Sequence, residues 1–307
     1  MIKSEIALGC WQFGGSFGFW ENQERSDSLQ VLHAALRSNI RHFDTAATYA
    51  NGKSEQILGQ QIKRFSHTIG REELTITSKI MPKGPALVRK DVQKSLDRLC
   101  LSYLDILYLH WPSSSVALKP ILDAMAELKA GGLVKALGLS NFPLPLLASL
   151  SDYPISYVQM PCSLLWTKGL DAMRTYCTSK EIGLVGYSPL GLGLLNGSHL
   201  HAPDDGRANI YVFKDASYPA YCDLYAILHK CSEAHHLTVA QTALAWARSQ
   251  GFGTLLIGAR NKGQLLENLS ASDVDLSEGE LAELDEGARL LAMTAPPGQD
   301  NLFGHRW

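Results

Sequence analysis

Arg41-His42-Phe43-Asp44-Thr45-Ala46-Ala47-Thr48-Tyr49 is a short run that carries an apolar residue up to an acid and then stops. A buried strand fits Ile40 to Asp44, and the small Ala46 and Ala47 with the turn pair Asn51-Gly52 close it off. Asp44 therefore falls at the carboxyl end of a strand, and Tyr49 in the loop that follows. An acid and a phenol at the mouth of a strand suit a site better than a core, where each would need a partner.

The same unit recurs on both sides of this stretch. Ile6-Ala7-Leu8-Gly9 reads as a first strand, and Ser26 or Asp27 can cap a helix to Arg37, with Leu29, Val31, Leu32 and Leu36 at helical spacing. After Asp44, Ser54 can cap a helix carried by Ile57, Leu58 and Ile62. Leu74-Thr75-Ile76-Thr77-Ser78 is a β-rich run ending at Lys79, followed by the helical stripe Val88, Val92, Leu96 and Leu99. Leu104 to Leu109 is a fourth strand ending at His110, and a helix from Ile121 to Lys129 stops at Gly131-Gly132. Val134 to Leu139 ends at Ser140-Asn141, and Pro143 can start a helix. Tyr157 to Met160 and Gly183 to Tyr187 are the sixth and seventh strands, with a helix over Asp171 to Lys180 between them. A long irregular segment runs from Pro189 to about Pro219, then helices begin at Asp223 and Thr238. Leu255-Leu256-Ile257 is the eighth strand, Gln264 to Leu269 is helical, and Ser277 with Glu280 makes a capping box.

Strands alternating with helices at repeats of roughly 30 residues predict an α/β fold, a closed (β/α)8 TIM barrel. A doubly wound sheet normally shows a glycine fingerprint after its first strand. Here that loop reads Cys10-Trp11-Gln12-Phe13-Gly14-Gly15-Ser16-Phe17-Gly18, and Gly191-Leu192-Gly193 is followed by Asn196 where a third glycine would stand. No low-complexity linker divides the chain, so residues 1–307 are expected to form a single domain. The tail from about residue 291, with Pro296-Pro297-Gly298, either reaches the site or is flexible.

Composition supports this reading. The chain has 307 residues, above the roughly 250 of a typical barrel, and 46% of them are hydrophobic, enough for a large core. A formal net charge of −2 with no block of like charge argues against a nucleic-acid or membrane-surface partner. No apolar run approaches the roughly 20 residues of a membrane span, and Met1-Ile2-Lys3-Ser4-Glu5 lacks a signal-peptide layout. Six cysteines without CxxC spacing read as packed, reduced thiols, so a cytoplasmic protein with no metal site is expected. His235-His236 and the pair His199 and His201 offer no metal geometry. Nothing in the chain specifies an oligomeric state.

A barrel carries its site at the carboxyl ends of its strands. The polar residues read off those ends are Asp44, Tyr49, Lys79, His110, Ser140, Asn141, Gln159 and Tyr187. Each alone has an ordinary reading: a helix cap, a loop aromatic, a solvated charge, a packed histidine. Gathered at one rim they fit chemistry better. A tyrosine near a lysine loses its proton more easily, a carboxylate can hold that lysine charged, and an imidazole can donate to a carbonyl oxygen. Together they polarise a C=O and protonate its oxygen. None supplies a hydride, so a reduction needs a cofactor.

At this point the chain resembles the aldo-keto reductase superfamily. The matching pieces are Phe43 to Tyr49 with Gly52 and Glu55, Ser78-Lys79, Leu107 to Pro112, Gly138 to Phe142, Gln159, Tyr187 to Gly191, Thr238 to Gln241, and Ile257 to Arg260 with Glu267-Asn268. The resemblance implies a catalytic tetrad of Asp44, Tyr49, Lys79 and His110, with Tyr49 as general acid, and an extended NADPH (NADP+) across the barrel mouth. Ser140, Asn141 and Gln159 would hold the nicotinamide carboxamide, with Tyr187 stacked under the ring. Ser188, Leu190 and Gly193 would fall at the pyrophosphate, Gln264, Glu267 and Asn268 would border the adenosine, and Gly258 is a further cofactor-binding candidate. Arg260 would pair with the 2′-phosphate. The family's basic residue is absent at Gln264 and its Lys-Ser pair at Gly258-Ala259, so NADPH over NADH rests on Arg260 with Lys262. Met1 to Glu5 leaves no room for a short hairpin under the barrel, whose floor is then open or covered otherwise.

Trp20, Trp111 and Trp166, with Phe17 and Phe19, lie in rim loops and are candidates to line an apolar substrate pocket. The function this predicts is reduction of an aldehyde or ketone with NADPH, or the reverse oxidation of an alcohol or sugar, on a small-molecule carbonyl or sugar substrate. The alternative is a redox-sensing subunit that binds NADPH within a protein complex and turns over little. A metal-dependent hydrolase built on Asp44 and His110 is a weaker rival, since no second cluster completes a site.

Overall fold

In the computed structural model, which describes residues 5–15, 19–20, 22–197, 200–271 and 274–296, eight parallel strands close into a barrel in chain order. They are β1 (Glu5–Gly9), β2 (His42–Asp44), β3 (Thr75–Ile80), β4 (Leu104–Leu109), β5 (Val134–Ser140), β6 (Ile155–Pro161), β7 (Gly183–Tyr187) and β8 (Thr254–Ile257). β8 closes onto β1 from Glu5↔Thr254 to Leu8↔Ile257. The helices are α1 (Arg25–Arg37), α2 (Lys53–Phe65), α3 (Pro85–Leu99), α4 (Leu118–Ala130), α5 (Leu144–Ala148), α6 (Leu170–Ser179), α7 (Tyr218–Ala234), α8 (Val239–Ser249), α9 (Lys262–Ser270) and α10 (Glu278–Met293).

Helices cover the outer face of the sheet, so the strands read as near-continuous apolar runs. Leu107 and Leu109 of β4 turn outward into the main core, which they share with Val88, Val92 and Leu96 of α3 and Ile121 and Met125 of α4. The barrel interior is a separate, smaller cluster of Ala7, Val185 and Leu256, packed by Tyr157 and Tyr187. Two glycines make room for the rings that fill it. A Cβ on Gly138 would stand 2.3 Å from the ring of Tyr108, its register partner across β4 and β5. A Cβ on Gly183 would stand 2.8 Å from the ring of Tyr157, its partner across β6 and β7. At the amino-terminal end of the barrel, Asp105 accepts from Arg71 Nη2 at 2.6 Å and pairs with Lys135 at 3.0 Å. Both cations also lie over the Tyr103 ring.

Some boundaries differ from the sequence reading. β3 continues to Ile80, so Lys79 is enclosed within the strand and fully buried instead of marking a solvated end. α7 begins at Tyr218, ahead of the expected Asp223, because Pro219 sits in the first turn, where its missing N–H costs nothing. The segment after Pro189 is not wholly irregular: its described residues hold three 3-10 turns, Gly191–Gly193, Gly206–Asn209 and Tyr211–Phe213. The tail beyond Pro296, the residues before Glu5, Phe17 and His199 lie outside the described residues. No described helix is long and apolar enough to cross a membrane.

Candidate active site

The carboxyl ends of the strands surround a cavity of about 720 Å³, within the usual range for small-molecule sites. Its centre is Asp44, the last residue of β2 and 2% exposed. Asp44 Oδ1 accepts from Lys79 Nζ, and Oδ2 accepts from Thr77 Oγ1 at 2.6 Å and from Gln159 Nε2 at 2.9 Å. The carboxylate is thus surrounded by donors from β3 and β6, as a buried charge requires. Lys79 Nζ donates also to the Thr45 carbonyl at 2.9 Å and to Tyr49 Oη at 3.3 Å. Tyr49 opens the 3-10 turn Tyr49–Gly52 that leads into α2. Its ring meets that of His110 edge-on, with centroids 5.7 Å apart. Thr48 Oγ1 lies 3.4 Å from His110 Nδ1.

Burial dominates the electrostatics. It lowers the Lys79 ammonium from the usual lysine range, against the opposing pull of Asp44. It pushes the Tyr49 phenol well above the usual tyrosine range, with Asp44 and Cys10 adding to the push. The sequence reading had Lys79 making the Tyr49 proton easier to lose. In the structure burial, reinforced by the Asp44 charge, outweighs that pull, so Tyr49 holds its proton. Burial, then the Lys79 charge, holds His110 well below the usual histidine range, leaving it neutral at pH 7.

Beside this cluster Asn141, in a left-handed conformation with φ 66°, donates through Nδ2 to the His110 carbonyl at 3.0 Å and to Ser140 Oγ at 2.9 Å. Its Oδ1 accepts from Tyr187 Oη at 2.6 Å, which fixes the Tyr187 ring at the cavity wall. Ser140 and Gln159 are register partners on β5 and β6. Ser188, Leu190 and Gly193 line the cavity from the segment after β7. Gly258, Arg260, Gln264, Glu267 and Asn268 line its far end, after β8 and along α9. Asn268 Nδ2 donates to the Gly258 carbonyl at 3.2 Å, and Gln264 Oε1 accepts from the Arg260 amide at 2.8 Å. Among the described residues the Arg260 guanidinium meets neutral acceptors, Gln23 Oε1 at 3.3 Å and the Asn22 carbonyl at 3.5 Å.

Trp20 and Trp111 line the cavity as the sequence suggested. Trp166 does not. A tight turn, with Trp166 N donating to the Ser163 carbonyl at 2.9 Å, tucks its ring into the main core beside Leu164 and Leu165. Trp11 takes that place at the wall, its ring 6.2 Å from that of Tyr49 and 5.8 Å from that of Trp20. The signal for Trp11 was its position two residues past β1, at the same rim. Gln12 and Arg207 line the cavity too and were not foreseen; Arg207 chelates Asp205 and lies over the Trp20 ring. Among the described residues no group of three His, Cys, Asp or Glu is placed to hold a metal ion.

The structure is thus a closed parallel barrel with a buried Asp–Lys–Tyr chain and a neutral histidine at its carboxyl rim. The chain belongs to the aldo/keto reductase family, whose sequence profile matches residues 5–289. It is 32% identical to aldo-keto reductase str7 of Strobilurus tenacellus, over 98% of this chain and 92% of that one. It is 28% identical to the NADH-specific methylglyoxal reductase of Escherichia coli (strain K12), over 94% and 95%. A crystal structure of an aldo-keto reductase from Klebsiella pneumoniae in complex with NADPH superposes with a TM-score of 0.72, at 25% identity, covering 93% of this chain and 95% of that one. The chain is an NAD(P)-dependent oxidoreductase.

Proposed function

We propose that this enzyme reduces aldehydes or ketones to alcohols with NADPH, Tyr49 giving the proton, and that it runs the reverse oxidation when alcohol and NADP+ are in excess. The observation that carries the reading is the chain Asp44–Lys79–Tyr49, in which a buried ammonium stands 3.3 Å from a phenol oxygen. Tyr49 holds its proton at neutral pH because burial and Asp44 disfavour the phenolate. As a carbonyl oxygen gains negative charge, Tyr49 Oη passes its proton to it, and the Lys79 ammonium stabilises the phenolate left behind. Asp44 keeps Lys79 charged and aimed. Thr48 Oγ1 lies 3.4 Å from Nδ1 of neutral His110, and in the tautomer that carries its proton on Nε2 the imidazole donates to the same carbonyl oxygen.

A bound nicotinamide supplies the hydride. The donor set fits it: Ser140, Asn141 and Gln159 line the cavity with hydroxyl and amide groups, together with the Tyr187 ring held through its Oη by Asn141, a set suited to a carboxamide and its ring. Arg260, held by neutral acceptors, is available to a 2′-phosphate and favours NADPH over NADH. Trp11, Trp20 and Trp111 give the substrate end an aromatic wall, which suits carbonyls with apolar or aromatic substituents. Changing Tyr49→Phe removes the proton and keeps the ring. Its NADPH dissociation constant, read by tryptophan fluorescence, is expected to match wild type, while reduction of 4-nitrobenzaldehyde falls by roughly 10²- to 10⁴-fold. Wild-type turnover in that variant would remove Tyr49 from the proton step.

A further inference from the structure

Directly after Tyr49 the backbone turns left-handed three times in succession, at Ala50 (φ 48°), Asn51 (φ 53°) and Gly52 (φ 87°). L-residues rarely adopt this conformation, so the turn that aims the phenol persists because its surroundings hold it. One holder is Arg98 at the end of α3. A Cβ built on Gly52 would lie 2.7 Å from Arg98 Cδ and 2.7 Å from Nε, so the arginine stem is flush against the turn. Arg98 Nε donates to Glu55 Oε2 at 2.5 Å, and Nη2 donates to Ser95 Oγ at 3.2 Å. Glu55 is fully buried, and its second oxygen accepts from Ser78 Oγ at 2.5 Å. Ser78 immediately precedes Lys79 on β3. Gly14 also meets the turn, where a Cβ would lie 3.1 Å from that of Ala50.

We infer that Glu55 and Arg98 are positioning residues for the reaction: one ion pair, its carboxylate fully buried and its guanidinium half-buried, fixes the Tyr49 turn through Gly52 and the Lys79 strand through Ser78, and so sets the distance between phenol and ammonium. The inference rests on the reading of Tyr49 as proton donor. An ion pair whose two ends reach the two partners of the proton step does more than join α2 to α3. Its charge also reaches the site. The titratable groups that bear on Lys79 are Asp44 from β2, Tyr49, Cys10 from the end of β1, His110 from the end of β4 and, through space from α2, Glu55. Glu55 is one of those that favour the ammonium.

The test uses the full chain with Glu55→Gln, Arg98→Met, Arg98→Lys and Ser78→Ala, beside Tyr49→Phe as control. Three quantities are read: kcat for 4-nitrobenzaldehyde at saturating NADPH across pH, the NADPH dissociation constant, and the melting temperature. Arg98→Met is expected to lose roughly tenfold to a hundredfold in kcat, the scale of a small misplacement of reacting groups, with NADPH binding within twofold of wild type. Arg98→Lys should recover part of that loss. Glu55→Gln should move the alkaline limb of kcat to lower pH, because Lys79 loses support for its charge. Ser78→Ala, the mildest change, should lower kcat with little effect on melting. Wild-type kcat and an unmoved alkaline limb in the variants that fold, Ser78→Ala included, would reduce the pair to a fold element and overturn the inference. Full turnover in Tyr49→Phe would instead strike the proton-donor reading.

Discussion

His110 is 8% exposed, and burial with the Lys79 charge holds its imidazole well below the usual histidine range. That shift is a statement about stability. As pH falls past about 6.5 an unfolded histidine takes up a proton, while folded His110 refuses it until much lower pH. The unfolded state then binds more protons, so stability present above pH 6.5 is lost as pH falls, at up to about 1.4 kcal/mol per pH unit. A His110→Gln variant removes this contribution. Urea denaturation at pH 6.5, 6 and 5 should show a shallower acid loss in the variant than in wild type. Equal slopes would mean that His110 is protonated in the folded protein. The sequence displayed all four residues of this cluster, because acids, phenols and imidazoles at strand ends are conspicuous. It did not display their protonation, because the upward shift of Tyr49 is decided first by burial, which the whole fold sets, with Asp44 adding to it.

Strands and helices were largely legible where one residue type decides the outcome. Thr238 and Ser277 cap α8 and α10 through reciprocal bonds with Gln241 and Glu280. Interior packing was not, since nothing in Leu104 to Leu109 says that Tyr108 needs a glycine on the next strand. Gly138 supplies that gap, and Gly138→Ala would drive a methyl to 2.3 Å from the Tyr108 ring. The expected cost is about 3 kcal/mol, at the upper end for overpacking. Adding Tyr108→Leu should recover part of it, so a double-mutant cycle by chemical denaturation should show a coupling well above about 0.5 kcal/mol. Gly279, in the first turn of α10 with nothing near its hydrogens, is the contrasting case. Gly279→Ala should stabilise the protein by roughly 0.5 kcal/mol through helix propensity alone. Additive effects of the Gly138 and Tyr108 changes would show that the two strands do not share this interior contact.

At the scale of the whole molecule, the cavity is walled by segments from opposite ends of the chain, and any ligand that fills it ties them together. Gln23, just before α1, and Arg260, after β8, already exchange bonds: Gln23 Nε2 donates to the Arg260 carbonyl at 2.8 Å, and Arg260 Nε donates to Gln23 Oε1 at 3.3 Å. A 2′-phosphate has to displace neutral acceptors from the guanidinium, and a charge-assisted pair replaces weaker bonds. A cofactor at a hundred times its dissociation constant adds about 2.7 kcal/mol to stability, which for a chain of this size raises the melting temperature by roughly 5 °C. Arg260→Ala removes the pair, worth about 1.5–3 kcal/mol for hydrogen bonds to a charged group. At the same NADPH concentration the melting shift should then fall to roughly 2 °C or less. NADH has no 2′-phosphate, so the shift it produces should be the same in both proteins. A fall for NADPH alone locates the discrimination at Arg260. Equal falls for both would mean that the arginine holds the adenosine or the loop carrying Gln23, and an undiminished NADPH shift would place phosphate recognition on another residue of the rim.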